Sequence, residues 1–278
     1  MGAQNARVRY GVAIPVASTD DIESSVTDTQ QTRPGFTHHL QEEIWPRIRG
    51  LQPNGVRAIP AATLILIDRT EAKPKVLMGR RNPSDRFMPN KFVFPGGRVD
   101  PADALMNVSG ALSGPAERRL QTVRGKAFAR SLPLAAIRET FEETGLVIGT
   151  KEFGAPEGSP EGGWRNFTAH GAFPDLGAIH FVGRATTPPR LPRRYDTIFL
   201  AVEATNIVAR EEGAVGPDKE LVELVWVPIA EAYAMELPTI TAVILRELEV
   251  RMAQGLPHEA PVPWYRVRHP KGWERISM

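Results

Sequence analysis

The chain has 278 residues, 42% of them hydrophobic, which is enough to bury a core as one large domain or two small ones. A formal net charge of +2 with 24% charged residues leaves no basic stripe for nucleic acid, and the absence of cysteine excludes disulfides, zinc–thiolate sites and a thiol nucleophile. No apolar run approaches the ~18 residues of a membrane span, and "YGVAIPVA" near the N-terminus is too short and too broken by proline for a signal peptide, so a cytoplasmic protein with no membrane or nucleic-acid partner is expected.

Residues 1–35 are rich in Ser, Thr, Asp, Gln and Pro and read as a loosely ordered arm, with an added strand expected at 7–17. "HHLQEEIWPRIRGL" (38–51) predicts a short amphipathic helix with Leu40, Ile44 and Ile48 on one face and a kink at Pro46. "VRAIPAATLILIDR" (56–69) and "KVLMGRR" (75–81) predict two strands joined by a polar turn, and "KFVFPGGRVD" (91–100) a strand running into a glycine loop. The polar, Arg-rich 110–132 predicts one or two short surface helices. Beyond "AAIRETFEETGLVIG" (135–149), strands are expected at 178–188, 195–204 and 220–229, and helix at 229–255. The tail 256–278 holds too many prolines for a helix and is expected to lie across the surface. Strands and helices interleave without a regular βα repeat, so one α/β domain is expected at 36–255, flanked by the arm and the tail.

The segment 135–149 carries three glutamates in five positions. At about 100° per residue, Leu134, Ile137 and Phe141 share one helix face, and Glu139, Glu142 and Glu143 fall on roughly the opposite one. Ser131 and Pro133 suit the helix start, and Gly145 its stop. Such a face is commonly solvated. Like charges three and four residues apart, however, oppose one another and the helix dipole, and a cation between them would remove both penalties. Hard carboxylate oxygens suit Mg²⁺ or Mn²⁺, and no histidine pair has ligand spacing. Both readings stay open on the residues alone.

The run R-E-T-F-E-E-T-G-L (138–146) resembles the second half of the Nudix box, G-x5-E-x7-R-E-U-x-E-E-x-G-U, where U is aliphatic. Arg138, Glu139, Glu142, Glu143, Gly145 and Leu146 match, and Thr140 stands in an aliphatic position. "GGRVDPAD" (96–103) resembles the first half, with Asp103 as a shorter acid at the glutamate position. Between Asp103 and Arg138 lie 34 residues where the family has seven. The chain thereby resembles the Nudix subgroup whose box carries an insertion, here about 104–130, and whose characterised members cleave coenzyme A and its esters. "LMGRRNPSDRFMPNKFVFPGG" (77–97) resembles the coenzyme A motif L-L-T-x-R-[SA]-x3-R-x3-G-x3-F-P-G-G: Leu77, Arg81, Arg86 and Phe94 to Gly97 fit, whereas Met78, Gly79, Asn82 and Asn90 depart from it.

The resemblance implies an α/β/α sandwich around a mixed sheet and a diphosphatase of nucleoside diphosphate derivatives. Its metal would be Mg²⁺ or Mn²⁺, held by Glu139, Glu142, Glu143 and the carbonyl of Gly97. Glu139 would be a ligand or the base, and Arg138 would orient a glutamate. Arg81, Arg86 and Gly96 would contact substrate, with Asp103 a weaker site candidate. Of the acidic residues Glu211, Glu212, Asp218, Glu220 and Glu223, Glu220 is favoured as a further site residue because it precedes the strand carrying Trp226. Arg193, Arg194 and Asp196 stand at a strand entrance, where Arg194 is a substrate-contact candidate and an Arg–Asp structural pair the competing reading. Coenzyme A or an acyl-coenzyme A is the expected substrate. An ADP-ribose, NADH or nucleotide-sugar diphosphatase is the alternative, and a non-catalytic regulator the third. The arm and the 104–130 insertion are candidates for covering the pocket or for building a homodimer contact.

Overall fold

A computed structural model of the chain describes residues 37–52, 55–154 and 156–278. The arm at 1–35, with its expected strand at 7–17, lies outside the described residues. A π-helical turn, Leu40–Ile44, runs directly into α1 (Trp45–Ile48), and Pro46, which has no N–H to donate, stands just after that junction. There follow β1 (Ile59–Asp68), β2 (Lys75–Arg81), β3 (Phe92–Val93) and β4 (Gly96–Arg98), then a 3₁₀ turn at Pro101–Leu105. Next come α2 (Gly114–Arg124), α3 (Lys126–Ala129), α4 (Ser131–Thr144), β5 (Leu146–Ile148) and α5 (Gly163–Thr168). The chain continues through β6 (His180–Thr186), β7 (Tyr195–Glu203), β8 (Ile207–Arg210), β9 (Leu221–Pro228), α6 (Ile229–Ala232) and α7 (Thr239–Ala253), and ends in β10 (Pro263–Arg268) and β11 (Gly272–Ser277).

The main sheet runs β11-β10-β6-β7-β1-β2-β3, with β4 also paired to β1 and β9 to β2. The β1–β7 and β10–β6 pairs are parallel and the others antiparallel, so the sheet is mixed, as expected. Strand β1 reads as a continuous apolar run because both of its faces are covered. Ala62, Leu64 and Leu66 join a core with α4, and Ile65 and Ile67 join one with α7. Strand β7 alternates the same way, Ile198, Leu200 and Val202 against Phe199 and Ala201. These two cores make the helix–sheet–helix layering.

The tail departs from expectation. Residues 256–278 do not lie over the surface: β10 and β11 form a hairpin that extends the main sheet beside β6. The buried Glu247 of α7 anchors it, accepting from Tyr265 Oη and from Arg275 Nε at 2.7 Å. Pro257 and Pro261 precede the hairpin, Pro263 is the first residue of β10 and Pro270 lies in the turn, positions where a sheet tolerates proline. Helix α2 braces the same segment, because its Arg119 donates to the carbonyls of His258 and Glu259 at 2.6 Å and of Met278 at 3.2 Å.

One half-buried contact in this region predicts a pH effect. His180 stacks on His258 with centroids 4.4 Å apart and planes 5° apart. Burial, and then the neighbouring His258, lower the pKa of His180. A folded pKa below the unfolded value of ~6.5 gives a contribution that is complete above that value and is lost as pH falls through it. The melting temperature should fall as pH drops below about 6.5 toward the lowered folded-state pKa, and His180→Phe should flatten that part of the decline. An unchanged slope in the variant would contradict the assignment.

Candidate active site

A cavity of about 500 Å³ opens where β4, β1 and β7 meet the start of α7. Its floor follows from strand register. Gly96 pairs with Thr63 and Arg98 with Ala61, and across β1 these face Phe199 and Thr197. With side chains alternating, Thr63 and Ala61 on β1 and Tyr195, Thr197 and Phe199 on β7 all point into the cavity. Glu139 and Glu143 of α4, Glu220 ahead of β9 and Arg81 at the end of β2 complete the polar wall.

Helix α4 presents these acids because its sequence makes it buried nearly all round. Thr140, in the aliphatic position, is fully buried, yet its hydroxyl is satisfied by the carbonyl of Ala136 at 2.7 Å. Gly145 closes the helix in the left-handed region at φ 73°. Glu143 is 7% exposed, and its Oε2 accepts from the Gly96 N–H at 3.0 Å. Burial first, then the charge of Glu220, push its carboxyl well above the usual range, against the opposing Gly96 hydrogen bond. Glu139 is raised too, chiefly by burial, with Glu142 and Glu220 adding to it and Arg138 opposing.

Gly97 is what lets Glu139 in. A Cβ at Gly97 would stand 2.4 Å from the carboxyl carbon of Glu139. Gly97→Ala should therefore displace that carboxylate and lower activity by about tenfold or more with a smaller loss of stability, read from kcat/KM beside a melting curve. Wild-type activity would show that the close approach is irrelevant. Gly96 has its own constraint, since it sits at φ 155° with a Cβ position 2.5 Å from the Ala62 carbonyl oxygen.

Arg138 does not face the cavity. It is 7% exposed, with Nε 2.8 Å from Asp103 Oδ1 and Nη2 3.2 Å from Asp103 Oδ2, and it donates to the carbonyl of Arg98 at 2.8 Å. Its Nη1 donates to Glu139 and to Glu142, each at 3.0 Å. Burial opposes its charge, but Asp103, followed by Glu139 and Glu142, outweighs that and holds its pKa above the ordinary value. Asp103, fully buried, also accepts from Trp164 Nε1 at 2.9 Å and from the Asp100 N–H at 2.7 Å. It therefore lies behind the site, joined to it through Arg138 across the 34-residue gap.

The structure thus brings Arg81, Gly96, Gly97, Glu139, Glu143 and Glu220 to one cavity. Glu142 turns away from it, toward Arg138 and Gly163. Arg86 is exposed and outside the lining. Arg194 is also outside: its Nε donates to the Thr187 carbonyl at 3.1 Å and its Nη1 to that of Val56. Its neighbour Arg193 lines the cavity instead. Asp196 pairs with neither, because Arg184 takes both its oxygens at 2.8 Å. Glu223 pairs with Arg80, which leaves Glu220 as the cavity residue of the 211–223 acids. Arg98 and the tilted pair Phe87–Tyr195, 6.0 Å between centroids, were not foreseen. The period-two pattern of β7 could have pointed to Tyr195, but nothing local marks Phe87.

No family model matches the chain. Over 91 residues, 33% of its length, it is 38% identical to a Caenorhabditis elegans protein described as "Putative nudix hydrolase 7", of which it covers 22%. The crystal structure of a NUDIX hydrolase from Alicyclobacillus acidocaldarius is similar at 27% identity and a TM-score of 0.54, covering 72% of this chain and 97% of that one.

Proposed function

We propose, starting from the Nudix fold that the chain carries, that this protein is a divalent-metal-dependent diphosphatase of nucleoside diphosphate derivatives. Its substrate is coenzyme A or an acyl-coenzyme A, cleaved to 3′,5′-ADP and a phosphopantetheine fragment. The observation that carries this reading is the convergence of Glu139, Glu143 and Glu220 on one cavity beside the Gly96–Gly97 backbone.

The donor set fits a hard cation. Carboxylate oxygens suit Mg²⁺ or Mn²⁺, and Glu139 and Glu143, whose pKa values are raised chiefly by burial and further by neighbouring carboxylates, would have their charged forms favoured by such an ion. Among the described residues no three acidic or histidine side chains already form a ligand cluster, so the reading requires the carboxylates to draw together on loading. Bound there, the ion would polarise the phosphoryl group, offset charge at the leaving oxygen and acidify the attacking water.

The chain's own groups do the positioning. The Gly96 N–H fixes Glu143, and Arg138 fixes Glu139, which serves as ligand or as the base that takes the water's proton. Glu142 takes part through its bond to Arg138. The Asp103–Arg138 contact supports reading 104–130 as an insertion within a single site. Arg81 is anchored three ways, to Phe87 O at 3.0 Å, Glu220 Oε1 at 2.9 Å and Asp85 Oδ2 at 2.7 Å, so it holds the pocket wall beside the acids. What supports coenzyme A over other diphosphates is the resemblance of 77–97 to the coenzyme A motif, in which Arg81 reaches the cavity wall and Arg86 does not.

A panel of coenzyme A, acyl-coenzyme A, ADP-ribose, NADH and dinucleoside polyphosphates, each with Mg²⁺ and Mn²⁺, tests this. Highest kcat/KM on a coenzyme A compound is expected. Preference for another member would replace the substrate, and hydrolysis of none would replace the enzyme by a non-catalytic regulator.

A further inference from the structure

We infer that Arg193 is a specificity-determining residue, reading a phosphate monoester on the ribose of the substrate while the Phe87–Tyr195 pair takes the adjoining flat ring. The inference rests on the diphosphatase reading and adds to it the direction in which the substrate lies.

Three arginines line the cavity, and they differ in what they already bind. Arg81 is engaged by Glu220, Asp85 and Phe87. Arg98 and Arg193 have no hydrogen-bond or ion-pair partner for their guanidinium groups among the described residues. Exposed arginines on a cavity wall, with no protein acceptor for their guanidinium groups, suit an anionic group on a ligand.

Register separates the two. Arg98 directly follows Gly97, so it stands at the acidic end. Tyr195 pairs with Ile59, three residues along β1 from the Gly97 partner Ala62, which puts it about 10 Å up the sheet from that end. Arg193 lies two residues before Tyr195, beyond the Ile59 pairing and so further along the chain from the acidic end. A diphosphate at the acids, extended along this floor, brings its ribose and base toward Tyr195 and Phe87, whose rings are 6.0 Å apart and tilted by 59°. A second phosphate on that ribose then meets Arg193.

The loop that carries Arg193 is also held in place. Thr187 and Tyr195 exchange bonds across its base at 2.8 and 3.0 Å, and Arg194 ties it to the carbonyls of Thr187 and Val56. A fixed loop offers its donor at little ordering cost.

The test is calorimetric binding of adenosine 3′,5′-bisphosphate and adenosine 5′-monophosphate, which differ only in the remote phosphate, to the wild type, Arg193→Met and Arg193→Lys. The wild type should prefer the bisphosphate by about tenfold or more, Arg193→Met should bring the two near parity by weakening the bisphosphate alone, and Arg193→Lys should restore part of the preference. Equal binding by the wild type, or a preference that survives in Arg193→Met, would overturn the assignment. Turnover of coenzyme A and dephospho-coenzyme A by the same proteins separates the two readings. If neither is cleaved while the binding preference disappears with Arg193, the diphosphatase reading fails and the phosphate site stands. If both are cleaved with equal kcat/KM by the wild type, the reverse holds.

Discussion

Replacing Glu143 with glutamine is expected to lower kcat/KM by ~10³-fold or more while the protein stays folded, because a metal's contribution to phosphoryl transfer is several kcal/mol. The substitution keeps shape and leaves an amide oxygen for the Gly96 N–H, so the anchor at 3.0 Å survives and only the charge is lost. Its effect on stability should run opposite to its effect on rate. Burial and Glu220 disfavour the ionised Glu143, so the metal-free Glu143→Gln protein should melt no lower than the wild type. Glu142→Gln is expected to lose less activity than Glu143→Gln, because Glu142 faces Arg138 rather than the cavity. Equal losses at the two positions would show that Glu142 swings in to bind.

The second large effect lies behind the site. Asp103→Ala is expected to destabilise the protein by ~3–5 kcal/mol, since it leaves the Arg138 guanidinium buried without its main partner. Trp164 Nε1 and the Asp100 N–H lose their acceptor in the same change. Urea unfolding midpoints measure this, with unchanged m-values showing that the native state alone is affected. The double change Asp103→Leu with Arg138→Met should recover the part of the stability lost to the unpaired charge, but not the part lost with the Trp164 and Asp100 bonds. It should not recover activity, because Glu139 and Glu142 lose the Nη1 donor that orients them. A single variant with wild-type stability would make the contact dispensable.

How much of this was legible in the sequence differs from element to element. The spacing of Arg138, Glu139, Glu142, Glu143 and Gly145 stated both the helix and its acidity, because local periodicity controls both. It could not say which glutamate faces the cavity. That depends on how α4 rotates against the glycine strand, and Gly97, open to the Glu139 carboxylate, settles it in three dimensions. Asp103 was a doubtful member of the site because 34 intervening residues give no distance. Packing puts Asp103 behind the cavity, as the partner of Arg138. Arg194 and Arg193 are adjacent and chemically alike, and only the loop's anchoring to Val56 and Thr187 sends one out and the other in. In the tail, prolines obscured the alternation of "PWYRVR" and "GWERIS", and β6, the partner of the first, lies about eighty residues upstream, beyond the reach of local pattern reading. Short α5 offered too few residues for a periodic signal, although it supplies the Trp164 bond to Asp103.

The central claim is metal-dependent hydrolysis of a diphosphate, and ³¹P NMR of coenzyme A incubated with the protein in ¹⁸O-labelled water tests it most directly. With Mg²⁺ present, the diphosphate resonances should disappear as two phosphomonoester signals grow, one of them carrying the isotope shift. With the metal chelated, or with Glu143→Gln, they should persist. A diphosphate that remains intact with Mg²⁺ and with Mn²⁺, for coenzyme A and for ADP-ribose alike, would contradict the account.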